Sequence, residues 1–348
     1  MIPRRFFVLA SVVASACSIQ RAETYPASAM DGHTAHMSAA DLRAPIVTAA
    51  AATQQGTPGI PASATTAAAR LAASPRHSEW VTIAWEVGSR DSLMAWIVYP
   101  VTRTKAPVVV VVHEIFGLST WVRGVADQLA ADGFIAIAPD FISRVRGGPS
   151  SMELAADSAR RLISQVDGAE RNRAIAAAAN FAMLQPSAEQ RYAVIGYCWG
   201  GTTTFIHAVN GGVQGFSGGV AFYGGFPYTG GGQRATASTP AIPGSIPLAD
   251  SIAKIHVPVM LLNGSKDARI GASMPALDSI MTAHRKDYAG TNYEGAIHGF
   301  LRAQDDPRPA REGEAEAGVN AERAANLAAA KDGWPKTIAF LRKHLGVR

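Results

Sequence analysis

From about residue 79 the chain alternates short apolar runs with longer amphipathic stretches. Trp80 to Val87 and Leu93 to Tyr99 are rich in β-branched and aromatic residues. They flank Gly88-Ser89-Arg90-Asp91, a turn-forming run, which predicts two strands joined by a turn. Val108 to Val112 and Phe134 to Ala138 are unbroken apolar runs of strand length, the pattern of strands buried on both faces. Between them, Val122, Val125, Ala126 and Leu129 recur at helical spacing over Thr120 to Ala131, and Gly133 ends that helix. The spacing then predicts helices over Met152 to Val166 and Glu170 to Leu184, a strand over Tyr192 to Ile195 and a helix over Gly201 to Val209. Strands follow over Gly219 to Phe222 and Val257 to Leu262, a helix over Ala272 to His284 and a strand over Asp287 to Tyr293. A final helix runs from Ala317 to Leu345, split near Gly333-Trp334-Pro335. Such alternation predicts the α/β class: one domain over residues 77–348, with a mostly parallel central sheet and helices on both faces. A Gly/Thr/Pro-rich loop, residues 225 to 247, interrupts the pattern and is long enough to be a lid or binding loop.

Upstream the pattern changes. Arg4 and Arg5 precede an apolar run, Phe6 to Ala14, too short to span a bilayer, and Ala14-Ser15-Ala16 fits a cleavage site. Residues 1–16 therefore read as an export signal, and the protein as exported, periplasmic or lipid-anchored at the cell envelope. Arg4-Arg5-Phe6-Phe7-Val8 is similar to a twin-arginine signal, and Val13-Ala14-Ser15-Ala16-Cys17 to a lipoprotein signal that would leave Cys17 as a membrane tether. Both routes, and the general secretory one, stay open. Residues 17–76 hold Ala, Thr, Ser, Pro and Gly with almost no large apolar side chain, so they read as a flexible tether. His33 and His36 within that tract carry no metal-site pattern.

Composition narrows the function. With 48% hydrophobic residues the chain can build a large core. The net charge of +5 comes from scattered Lys and Arg, with no basic stripe interleaved by aromatics, which argues against nucleic-acid binding. No zinc spacing, P-loop or dinucleotide fingerprint appears, so the expectation is no metal and no cofactor. The sequence leaves the oligomeric state open, with a monomer favoured. The chain has 2 cysteines, and with Cys17 cleaved off or lipidated, Cys198 would lack a disulfide partner in an oxidising compartment. That favours a chemical role for its thiol.

The strongest chemical signal is Gly196-Tyr197-Cys198-Trp199-Gly200-Gly201, which follows a buried strand and opens a helix. That is the context of a nucleophile elbow, here with Cys in place of Ser. The glycines permit a sharp turn, and the helix N-terminus behind Cys198 favours its thiolate. Asp267 follows the strand Val257 to Leu262, where a triad acid would sit, and His298 lies in a loop before the last helix. Taken singly, each is an ordinary turn or loop residue. Their chain order, nucleophile then acid then histidine, matches the order that the α/β-hydrolase fold requires.

At these residues the chain resembles the dienelactone hydrolase family over roughly residues 79 to 346. The resemblance is carried by His113-Glu114-Ile115-Phe116-Gly117, Ala138-Pro139-Asp140-Phe141, the elbow, and His298-Gly299-Phe300. It implies an α/β-hydrolase fold and a carboxymethylenebutenolidase-like activity on a small ester or lactone, with an anionic group on the substrate. It further implies that Glu114 modulates the resting thiol, that the Ile115 and Trp199 N–H groups form the oxyanion hole, and that Arg302 grips a substrate carboxylate. The family places a second substrate arginine in the region of Arg160 and Arg161; both are expected to face solvent. Trp199, Phe222, Tyr223 and Phe300 are candidate pocket aromatics. Other readings are a broad esterase or thioesterase, or an envelope binding protein that kept the fold and lost catalysis.

Overall fold

The computed structural model describes residues 55–85, 91–150, 154–230 and 246–347. The export signal, Cys17, residues 17–54 of the tether, the heart of the Gly88 turn and most of the 225 to 247 loop lie outside the described residues.

In chain order the elements are α1 (Ala67–Ala72), β1 (Ser78–Ala84), β2 (Ser92–Val98), β3 (Ala106–Val112), α2 (Thr120–Ala131), β4 (Ile135–Pro139), α3 (Ser143–Arg146), α4 (Ala156–Ile163), α5 (Gly168–Met183) and β5 (Ala188–Tyr197). Then come α6 (Trp199–Val209), β6 (Phe216–Phe222), β7 (Thr229–Gly230), β8 (Ile246–Pro247), α7 (Ala249–Ala253), β9 (Val259–Gly264), α8 (Ala268–Ala283), β10 (Tyr288–Tyr293), α9 (Phe300–Ala303) and α10 (Glu316–Leu345). Eight strands form one sheet in the order β1-β2-β4-β3-β5-β6-β9-β10. β1 and β2 pair antiparallel, as do β2 and β4, and every other pair is parallel. All seven residues of β3 and all five of β4 are buried, which is why these stretches read as continuous apolar runs. Gly218 faces Phe340 of α10 while its neighbour Gly219 faces Thr204 of α6, so those helices cover opposite faces of the sheet. α5 joins the α6 side, where His207 hydrogen-bonds Asn172 at 2.6 Å. The Trp334 indole donates to Asp132 at the end of α2, joining α2 to α10.

Two expectations are corrected. Residues 55–76 do not behave as a tether. Ile60, Ala62 and Ala67 are buried, and Arg70 donates to the carbonyls of Gln55, Thr57 and Ile60, knotting the segment. Trp121 Nε1 donates to Ala62 O at 3.0 Å, Gln304 Nε2 to Pro61 O at 2.8 Å, and Ala64 N to Arg302 O at 2.9 Å. The segment is a strap held mainly by polar and backbone groups, so its lack of large apolar residues hid it. The C-terminal helix is also unbroken. Pro335 lies inside α10, and the Thr337 hydroxyl donates to the Gly333 carbonyl at 2.8 Å. Burial of Trp334, Ile338 and Leu341 holds the helix on the sheet through the bond that proline cannot make.

Candidate active site

β5 ends at Tyr197 and α6 begins at Trp199, leaving Cys198 alone at the corner with φ 57° and ψ −116°. Such angles cost a non-glycine residue on the order of 1–3 kcal/mol and persist only where the surroundings impose them. The Cys198 N–H donates to Phe222 O at 3.0 Å, which ties the corner to β6. Gly196 and Gly200 make the turn possible: a Cβ on Gly196 would sit 2.0 Å from Gly200 O, and one on Gly200 2.3 Å from Val112 O. The elbow is thus packed backbone to backbone against the end of β3. Cys198 is buried, and no second cysteine lies among the described residues.

Asp267 and His298 come together. Asp267 caps α8, with Oδ1 accepting from Ile270 N at 3.4 Å, and its Oδ2 accepts from His298 Nδ1 at 2.6 Å. The two loops are joined through their backbones too, Lys266 N donating to Ala296 O at 3.0 Å. Burial opposes ionisation of Asp267, but the His298 hydrogen bond and charge hold its carboxyl below the usual range. Burial likewise opposes charging of His298; the charge of Cys198 and the bond to Asp267 outweigh it and push the imidazole up to about 10. Cys198 is thus an electrostatic neighbour of His298, near enough for its charge to act on the ring.

Glu114 is 2% exposed in its side chain and pairs with Arg302, Oε2 to Nε 3.1 Å. The family resemblance implied separate roles for the two residues and did not foretell that they touch. Arg302 also sits 5.5 Å from the centre of the Phe116 ring. Ile115 lies just past β3, and Trp199 is the first residue of α6, so its N–H has no intrahelical acceptor. Trp199, Phe222, Tyr223 and Phe300 are all buried. Tyr223 stands 5.1 Å from the His298 ring, and burial and Glu114 push its phenol well up. Arg161 is exposed, and Arg160 pairs with Asp157 at 2.6 Å.

Sequence reasoning missed Arg171. Its guanidinium lies 4.3 Å from the Trp199 ring centre, and burial lowers its pKa to about 10. The signal was available: Arg171 falls on the stripe that continues through Ala174, Ile175, Ala178 and Ala179 and packs inward. Among the described residues no cluster of His, Cys, Asp and Glu is arranged to hold a metal, and no helix is long and apolar enough to cross a membrane.

A parallel sheet with antiparallel strands at one edge, a cysteine elbow after β5, an acid after β9 and a histidine after β10 together define an α/β-hydrolase. The dienelactone hydrolase family model matches residues 93–345. The chain belongs to the dienelactone hydrolase family, and it is a hydrolase acting on ester or lactone bonds. A relative from Bradyrhizobium sp, named "Probable 2-oxo-3-(5-oxofuran-2-ylidene)propanoate lactonase", is 27% identical over 278 residues, covering 77% of this chain and 97% of its own. A provisionally named carboxymethylenebutenolidase from Synechocystis sp. is 28% identical over 262 residues, covering 73% and 92%. The crystal structure of a dienelactone hydrolase-like promiscuous phosphotriesterase from metagenomic libraries shares the fold, with a TM-score of 0.54 at 22% identity over 76% of this chain and 98% of that one.

Proposed function

We propose that the protein opens a small, anionic ester or lactone through a Cys198-His298-Asp267 triad. The observation that carries this reading is the 2.6 Å bond from His298 to Asp267, on a ring that Cys198 also acts upon. Asp267 fixes the imidazole orientation, and the thiolate and imidazolium stabilise each other. The thiolate attacks the acyl carbonyl, and the oxyanion forms against the N–H groups of Ile115 and Trp199. The C–O bond breaks as His298 gives its proton to the leaving oxygen; in a lactone that oxygen stays attached. Water, deprotonated by His298, then cleaves the thioester, releases the acid and restores the thiolate–imidazolium pair. An anionic substrate group engages Arg302 bidentately in exchange for Glu114. The names of the two relatives support a lactone substrate. For export, residues 1–16 carry the proposal, and cell fractionation with and without Arg4→Ala/Arg5→Ala tests it.

Cys198→Ala should abolish hydrolysis of a small aryl ester and of an enol lactone while leaving the fold intact by circular dichroism. Retained turnover sinks the triad reading. Fast alkylation of Cys198 by iodoacetamide, slowed by His298→Ala, separates the enzyme from a binding protein that lost catalysis.

A further inference from the structure

The residue before Glu114 has a fully buried imidazole that the triad does not use. Phe141 N donates to His113 Nε2 at 3.1 Å, so Nε2 is an acceptor and carries no proton. The proton therefore sits on Nδ1, which lies 2.6 Å from the carbonyl oxygen of Glu114. Burial, which lowers the imidazole pKa, agrees with this neutral form. The Glu114 carbonyl belongs to the same planar unit as the Ile115 N–H, and no cis peptide bond occurs among the described residues. In a trans unit the two bonds point in opposite directions. A donor holding the carbonyl thus sets where the N–H aims. Gly117 N donates to the same carbonyl at 3.3 Å, closing the turn. The His113 ring also stacks on Trp199, with centres 5.9 Å apart and planes 13° apart. One ring therefore touches Trp199 and the peptide unit that carries the Ile115 N–H, the two sources of the amides that would meet the oxyanion.

We infer that His113 is a positioning residue for the oxyanion hole: its Nδ1–H locks the Glu114–Ile115 peptide plane, and so the Ile115 N–H, toward the substrate oxygen. The inference rests on the proposed triad and oxyanion site. Asp140 does not hydrogen-bond the ring. Its nearest oxygen is 4.0 Å from Nε2, and its carboxylate instead takes the Ser150 hydroxyl at 2.8 Å.

His113→Asn and His113→Leu, made in the full chain, test it. The Asn amide stands where Nδ1 stood and can still donate to the Glu114 carbonyl. Leu cannot, and both variants lose the acceptor for Phe141 N equally. Loss of one oxyanion donor lowers kcat by roughly 10²–10³. The Leu variant should lose on the order of 10² in kcat with KM changed less than about threefold, and Asn should recover at least roughly tenfold of that loss. Alkylation of Cys198 by iodoacetamide builds no oxyanion, so its rate should stay near wild type in both variants. A Leu variant with wild-type kcat overturns the inference. So do Asn and Leu variants equally impaired, or kcat and alkylation falling together, which would mean damage to the elbow itself. Turnover that survives Cys198→Ala overturns the triad reading first, whatever His113 does.

Discussion

Gly200→Ala is the perturbation for which the structure gives the sharpest magnitude. Considered as a helix residue alone, alanine at this position of α6 should stabilise by roughly 1 kcal/mol. The surroundings reverse the sign. Its Cβ would stand 2.3 Å from Val112 O and 2.6 Å from His113 O, where ordinary contact begins at 3.4 Å. Both obstacles are backbone at the end of a fully buried strand, which cannot turn aside as a flexible side chain can. The elbow and the end of β3 must separate by about 1 Å, and overpacking of this kind costs about 1–3 kcal/mol. Those two pieces carry Cys198 and the Glu114–Ile115 peptide. A misplacement of about 1 Å between reacting groups is worth on the order of 10²-fold in rate. Gly200→Ala should therefore lower kcat/KM for an aryl ester by roughly 10²-fold, and drop Tm by a few degrees at about 2–4 °C per kcal/mol. The assay is steady-state hydrolysis beside a thermal melt. A variant within threefold of wild type, with unchanged Tm, would refute the close-packed elbow.

Other consequences can be measured. Arg302→Ala should raise KM chiefly for anionic esters and leave Glu114 buried without its partner, a loss of roughly 3–5 kcal/mol; the Glu114→Gln/Arg302→Met double variant should recover stability in urea titrations, and equal stabilities would argue against a strong pair. His298 has its folded-state pKa raised from 6.5 to about 10, so the stability it contributes is full below about pH 6.5 and is lost as pH climbs through 10. The urea midpoint of wild type relative to His298→Gln should shrink over that interval; a constant difference would contradict the coupling. Deleting residues 1–66 should lower Tm, because Gln304, Trp121 and the Arg302 carbonyl lose buried partners at roughly 1–3 kcal/mol each. An unchanged melt would show that the strap contributes nothing.

Much of the sheet was legible because its strands are buried on both faces, and composition alone then reports position. β3 and α2 were read to within two residues for that reason, and the cysteine elbow because a glycine-flanked corner between strand and helix needs little tertiary context. The strap was not legible. Its attachment runs through Ala64 N, the Pro61 carbonyl and the Thr65 hydroxyl, groups that every chain or any surface segment has. The Glu114–Arg302 pair and the His113 bond to its neighbour's carbonyl are contacts in space, and periodicity carries no trace of them. Arg171 was overlooked because a charged residue on an inward stripe is conventionally turned toward solvent, whereas Trp199 offers it an aromatic face.

The strap also fixes an order of assembly. Thr65 bonds Asp306, 241 positions further on, and Gln304 reaches back 243 positions to Pro61. During synthesis at about 5–20 residues per second, those partners emerge roughly 10 to 50 s after the segment that needs them. The first described stretch of the chain is thus among the last to find its place, and a ribosome-bound fragment ending before residue 300 should leave it open to protease.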